Sequence, residues 1–166
     1  MPKNSSEDIN LNIRKASPED IPTILRLIKE LSVFEKMEKE VFNSEELLQE
    51  TLFGNKQYAE ALVAEVDRKP IGYVIYFFNY STFLGHPGFY LEDLYVSPEY
   101  RGHGIGKKLL KYCAKIAKEH KCKRMEWIVL NWNPAREFYE QLGAKAMDEW
   151  VLYRLSGEAL DKMAEE

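Results

Sequence analysis

The sequence predicts a mixed α/β domain in which helices cover a central sheet, in the order βααβββαβαβ. Three observations carry this expectation. Apolar residues recur at three- and four-residue steps early in the chain. After Tyr58 the pattern changes to runs dense in β-branched and aromatic residues. A glycine-rich turn then joins one such run to a long amphipathic helix. The chain of 166 residues suits a single domain, 1–166, with residues 1–10 as a polar extension, and 45% hydrophobic with 13% aromatic content is enough to build a core.

Leu11 to Lys15 reads as the first strand. In Ser17-Pro18-Glu19-Asp20, Ser17 can cap a helix, Pro18 sits in its first turn and the acids complement its dipole. That helix runs to about Phe34, because Ile21, Ile24, Leu25, Ile28 and Leu31 fall on one face. A charged connection, Glu35 to Glu40, leads to a second helix from Asn43 or Ser44 with Leu47, Leu48 and Leu52 inward. Ala61 to Val66 and Ile71 to Tyr80, joined by a turn at Asp67 to Pro70, form an antiparallel hairpin. Phe89 to Val96 adds a third sheet strand after the loop Ser81 to Gly88. Beyond the glycine turn, Ile105, Leu109, Cys113, Ile116 and Ala117 share one helix face, with Lys107, Lys108, Lys111, Lys115 and Lys118 largely elsewhere. Met125 to Leu130 reads as a strand, Asn133-Pro134 opens a helix through Gln141 that Gly143 stops, and Met147 to Leu155 returns as the last strand.

Composition excludes several classes. No run approaches the roughly 18 apolar residues of a membrane span, and Met1 to Asn10 is polar, so a cytoplasmic protein with no membrane partner is expected. Cys113 and Cys122 lack companions at ligand spacing, which points to reduced thiols and to no metal site. The net charge of −4 gives no reason to expect nucleic acid and mildly favours a cationic partner.

The stretch Arg101-Gly102-His103-Gly104-Ile105-Gly106 is the most informative. Alternating glycines in a turn that opens a helix leave backbone N–H groups uncovered, and such a row suits phosphate oxygens. It is not a triphosphate loop, since Lys108 rather than Ser or Thr follows Lys107. A dinucleotide fingerprint would need glycine at Lys107 and an earlier place in a βαβ unit.

What remains, R-G-x-G-I-G after Leu91-Glu92-Asp93-Leu94-Tyr95-Val96, resembles the acetyl-CoA pyrophosphate loop of the GNAT superfamily of N-acetyltransferases. A second block, Asn133-Pro134-Ala135-Arg136-Glu137-Phe138-Tyr139-Glu140-Gln141-Leu142-Gly143-Ala144, is similar to the N-x-x-A-x-x-F-Y-x-x-x-G-[FA] signature of the same superfamily. Ile24 to Leu31 with the following Phe34-Glu35, Phe89 to Val96, Trp150 to Leu155 and the ending Lys162 to Glu166 look like the spermidine/spermine N-acetyltransferase branch. The resemblance covers nearly all of the chain. It implies the GNAT fold, acetyl-CoA as cosubstrate, a homodimer, and direct acetyl transfer to a primary amine of a polyamine or diamine. A thialysine-type acetyltransferase shares these motifs and differs in acceptor. A non-catalytic acyl-CoA-binding module is the other reading, and the presence of both Glu92 and Tyr139 argues against it.

For the cofactor, the resemblance implies Arg101, Gly102, His103, Gly104, Ile105, Gly106 and Lys107 around the pyrophosphate. Backbone groups of Leu94, Tyr95 and Val96 would then meet the acetyl carbonyl and the pantetheine arm. Asn133 and Ala135 are further contacts. Trp132-Asn133-Pro134 is one residue shorter than the branch's W-N-x-P, so either Asn131 or Asn133 fills the expected role.

An alkylammonium with a pKa of about 10.4 must lose its proton before attacking a thioester, at a cost of roughly 4–5 kcal/mol at neutral pH. Glu92 and Asp93 precede the loop and, on a regular strand, point to opposite faces. By resemblance Glu92 is the base, directly or through a water, and Asp93 a second acidic contact or a helix-side structural partner. By resemblance Tyr139 is the general acid that protonates the departing thiolate. Phe34, Glu35, Glu38, Glu92, Asp93, Asp148 and Glu149 form the expected acceptor set, with Trp150, Tyr76 and Tyr80 available to cover a methylene chain. An acceptor bearing a carboxylate would want Arg26 or Arg154.

Overall fold

Five strands form one sheet, in sequence order, in the computed structural model, which describes residues 9–165. The chain divides into two compact units, Met1–Ile128 and Val129–Glu166. Most of the polar extension lies outside the described residues.

The first unit holds β1 (Leu11–Lys15), α1 (Ile21–Glu35), α2 (Glu45–Phe53), β2 (Glu60–Val66), β3 (Lys69–Ser81), β4 (His86–Val96), α3 (Ile105–Glu119) and β5 (Met125–Glu126). β1 to β4 pair antiparallel with their neighbours, and β5 joins β4 in parallel. Ser17 and Asp20 form a capping box in a short 3-10 turn that leads into α1, and Lys36 in the left-handed region stops that helix directly after Glu35. Ser44 caps α2 by accepting from the Leu47 N–H at 3.2 Å. Asp67 and Arg68 both have positive φ between Val66 and Lys69, the two-residue hairpin turn whose twist matches that of the strands.

Strand alternation divides the core between the two sides of the sheet. On one, Ala61, Val63, Tyr73, Ile75 and Tyr95 pack with Ile21, Ile24, Leu25 and Leu27 of α1 and Leu48 and Leu52 of α2. Leu62, Val74, Tyr76 and Leu91 are buried on the other, where α3 brings Leu109 and Cys113. Cys113 and Cys122 are free and buried, and burial pushes the Cys113 thiol up to about 12.

Two departures from regularity matter for the site. Ile75 pairs with Asp93 and Tyr76 with Leu91, so Glu92 stands opposite no residue of β3 and forms a bulge. β4 and β5 pair only at Phe89–Met125 and Tyr90–Glu126, so among the described residues no strand bonds the outer edge of β4 from Leu91 to Val96.

The second unit holds α4 (Ala135–Gln141) and α5 (Glu158–Glu165). Two expectations are corrected. The strand expected at Met125 to Leu130 ends at Glu126, and Met147 to Leu155 forms no strand. Composition gives a segment the capacity for a strand, and a ladder partner for its N–H and C=O groups makes it one. Trp150, Val151, Leu152 and Tyr153 have strand-like side chains but no ladder among the described residues, and they are exposed.

Candidate active site

β4 carries the site because its bulge separates two adjacent acids. Glu92 is exposed, whereas Asp93 returns to the side covered by α1, where its Oδ2 accepts the Tyr73 hydroxyl at 2.9 Å. Burial pushes the Asp93 carboxyl up to about 6; Glu92 and Glu35 push the same way, and the bond from Tyr73 works against them. Glu35, at the end of α1, is itself raised by burial. Three carboxylates from two elements therefore share one neighbourhood, and a cation entering it relieves both burial and repulsion.

Beyond the acids the strand is anchored to α1. The Tyr95 hydroxyl and Ser97 Oγ donate to Glu30 Oε2 at 3.3 and 3.2 Å, and Glu30 also pairs with Arg26 one helical turn away. Arg101 Nε donates to the Val96 carbonyl at 2.9 Å, and its guanidinium lies 5.1 Å from the Phe34 ring and 5.4 Å from the Tyr95 ring. The Val96 carbonyl thus faces away from β3. In an antiparallel strand the N–H and C=O of one residue share a side and alternate along the chain. Leu94 and Val96 therefore present their backbone groups on the unpaired edge, and those of Tyr95 belong to the β3 ladder.

The glycine turn delivers this edge to α3. Gly102 and Gly104 have φ of +82° and +73°, a region that L side chains rarely adopt. The first helical bond runs from the Lys108 N–H to the Gly104 carbonyl, and no side chain caps the helix among the described residues. The N–H groups of Ile105, Gly106 and Lys107 therefore lack helical partners and form a cradle for an anion. The Ile105 side chain is buried, so only its backbone serves here, while Lys107 and Lys108 are exposed. His103 turns back, with Nδ1 3.2 Å from the Tyr100 carbonyl.

In the second unit, Asn133 Oδ1 accepts the Ala135 N–H at 2.9 Å at the start of α4, while the Asn131 carbonyl accepts Arg136 Nη1 at 3.1 Å. Tyr139 is half-buried in the middle of α4 beside Phe138, their ring centroids 5.4 Å apart. Asp148 and Glu149 are exposed.

The strand edge followed by an uncapped helix start suits a thread-like ligand that ends in a diphosphate. Residues 24–144 match the acetyltransferase (GNAT) family. The chain belongs to that family. It is 42% identical over 164 residues to the thialysine N-epsilon-acetyltransferase of Bos taurus, covering 92% of this chain and 96% of that one. It is 37% identical to the human spermidine/spermine N(1)-acetyltransferase-like protein 1, covering 92% of this chain and 23% of that one. Among solved structures, an integron cassette protein of V. cholerae superposes with a TM-score of 0.81 at 28% identity, covering 95% of this chain and 99% of that one. This acetyltransferase therefore has the GNAT fold, and acetyl-CoA is the donor that its family uses.

Sequence reasoning missed Tyr73, Glu30 and Ser97. Tyr73 sits in an apolar run and reads as core, and nothing in the sequence announces that a hydroxyl there meets Asp93. One further expectation is corrected. Tyr76 is fully buried against Phe89, with its hydroxyl on Glu60 Oε2 at 3.0 Å, so it cannot cover an acceptor. Tyr80 lies near the exposed tip of the β3–β4 hairpin.

Proposed function

We propose that this enzyme transfers the acetyl group of acetyl-CoA directly to the side-chain amine of a thialysine- or lysine-like amino acid. The observation that carries this reading is the 42% identity to a thialysine N-epsilon-acetyltransferase along almost the whole of both chains. It reverses the order in which the sequence motifs ranked the acceptors. Polyamines are the second reading, favoured by the spaced acids Glu35, Glu92 and Asp93 and by the spermidine/spermine-like relative.

In this scheme Glu35 and Asp93 attract the ammonium end of the acceptor. Glu92 takes its proton, directly or through a water, and the freed lone pair attacks the acetyl carbonyl. Backbone N–H groups on the open edge of β4 bond the carbonyl oxygen as it gains negative charge. Tyr139 gives its phenolic proton to the leaving thiolate. Either Asn131 or Asn133 adds a contact to the cofactor, and Asn133 has its amide N–H groups left for this once its oxygen has taken the Ala135 N–H.

The exposed aromatics Tyr80 and Phe83 at the β3–β4 hairpin tip support a homodimer, which light scattering tests. Free buried thiols support a cytoplasmic location. The deciding experiment measures CoA release with thialysine, lysine, putrescine, spermidine and spermine in parallel. Preference for thialysine and lysine is the expected result; turnover of polyamines alone overturns it in favour of the second reading.

A further inference from the structure

We propose that Arg101 is a positioning residue that braces the end of α1 against the open edge of β4, and that it is not a ligand of the donor's diphosphate. The sequence places this arginine at the head of the glycine loop, which suggests a phosphate contact. Its side chain points elsewhere. Nε is committed to the Val96 carbonyl at 2.9 Å, and the guanidinium lies within cation–π distance of two rings, Phe34 at 5.1 Å and Tyr95 at 5.4 Å.

Each partner belongs to a different part of the machinery. Val96 lies on the strand edge expected to hold the pantetheine arm, Tyr95 joins that strand to α1 through Glu30, and Phe34 adjoins Glu35 at the acceptor end of α1. One planar cation thus sets the distance between donor strand and acceptor helix. By filling the outward carbonyl of Val96, Arg101 also leaves the Leu94 carbonyl as the neighbouring acceptor on that edge, which fixes the register in which an amide-bearing arm can pair. The diphosphate retains the uncapped N–H groups of Ile105, Gly106 and Lys107, with Lys107 and Lys108 exposed beside them. A lysine could supply charge at position 101 but not the Nε–H and planar face at once.

This inference rests on the reading of Phe34 as an acceptor residue and of β4 as the donor strand. Calorimetry with CoA and with its nucleotide half, 3′-phospho-ADP, tests it in the parent, Arg101→Gln and Arg101→Lys. The brace predicts that Arg101→Gln binds the nucleotide half within about twofold of the parent, while its CoA dissociation constant and acceptor KM rise on the order of tenfold. Arg101→Lys should fall between the two, and as the milder change it keeps the comparison available should Arg101→Gln not fold. Parallel weakening of CoA and its nucleotide half, or unchanged CoA binding, overturns the proposal. Failure of the amine-acceptor reading would show in the parent as no turnover of any amine, whereas the binding comparison needs no acceptor.

Discussion

The Tyr73 hydroxyl donates to Asp93 Oδ2 at 2.9 Å on the side of the sheet that α1 covers. Tyr73 itself is fully buried, so the bond partly compensates a carboxylate that the fold removes from water. With its carboxyl raised to about 6, Asp93 is protonated in the folded protein over a range where it is ionised in the unfolded chain. Stability therefore falls as pH rises from about 4 to about 6, by roughly 3 kcal/mol for a shift of this size.

Asp93→Asn keeps an acceptor for Tyr73 and removes this burden. The melting temperature is expected to rise by several degrees at about pH 8 and to converge on the parent's below about pH 3, where Asp93 is protonated in both states. Activity should move the other way. In the parent, acceptor KM should climb as pH falls through about 6, and the substitution should raise it above that pH and approach the parent's value below it, where Asp93 is already neutral. A thermal gain that ignores pH would refute this account of Asp93.

A second carboxylate cluster has the opposite sign. Arg14 holds Asp20 at 2.7 and 2.8 Å and reaches Glu65 at 2.7 and 3.1 Å, which lowers the pKa of both acids below the usual range. Their contribution is complete above the unfolded carboxylate pKa of about 4 and is lost as pH falls through the lowered values. Arg14→Met should cost roughly 2–3 kcal/mol near neutral pH and progressively less in acid, read from denaturant midpoints at each pH.

At Gly104 a Cβ would meet nothing within 4 Å, so an added methyl is penalised only through the backbone, at φ +73°. Gly104→Ala is expected to cost about 1 kcal/mol of stability and to weaken CoA binding as the loop shifts its N–H groups, while Gly104→Asn, which tolerates this region better, loses less of both. Equal affinity in all three proteins would remove the loop from donor binding.

Tyr139→Phe keeps the ring beside Phe138 and removes the proton. A fall in kcat on the order of 100-fold with CoA binding unchanged is expected if the phenol protonates the thiolate. Stopped-flow and equilibrium binding separate the two, and a defect confined to KM would rule out the acid role.

Local signals made most elements readable. Leu11–Lys15 needed only its alternation, and Ser17 and Ser44 marked helix starts because a cap acts within four residues of its own position. Strand ends were harder, since pairing sets them: Val66 to Lys69 closes on a turn written in the chain, whereas β5 stops at Glu126 for want of further ladder with β4. Period-two reasoning separated Glu92 from Asp93, but the reason for that separation is a residue that β3 does not match, and a bulge has no pattern of its own at this position. Arg101 illustrates the same limit, because its loop motif names a neighbourhood while the direction of a long side chain depends on rings contributed from α1 and β4.

Pairing between β4 and β5 ends at Tyr90, so among the described residues the outer edge of β4 from Leu91 to Val96 carries a row of backbone groups with no strand beside it. Such an edge invites other chains to add themselves to it. A donor lying along it would act as the missing strand, so cosubstrate supply becomes a determinant of shelf life: protein stored with CoA should aggregate more slowly and melt higher than the same protein dialysed free of it.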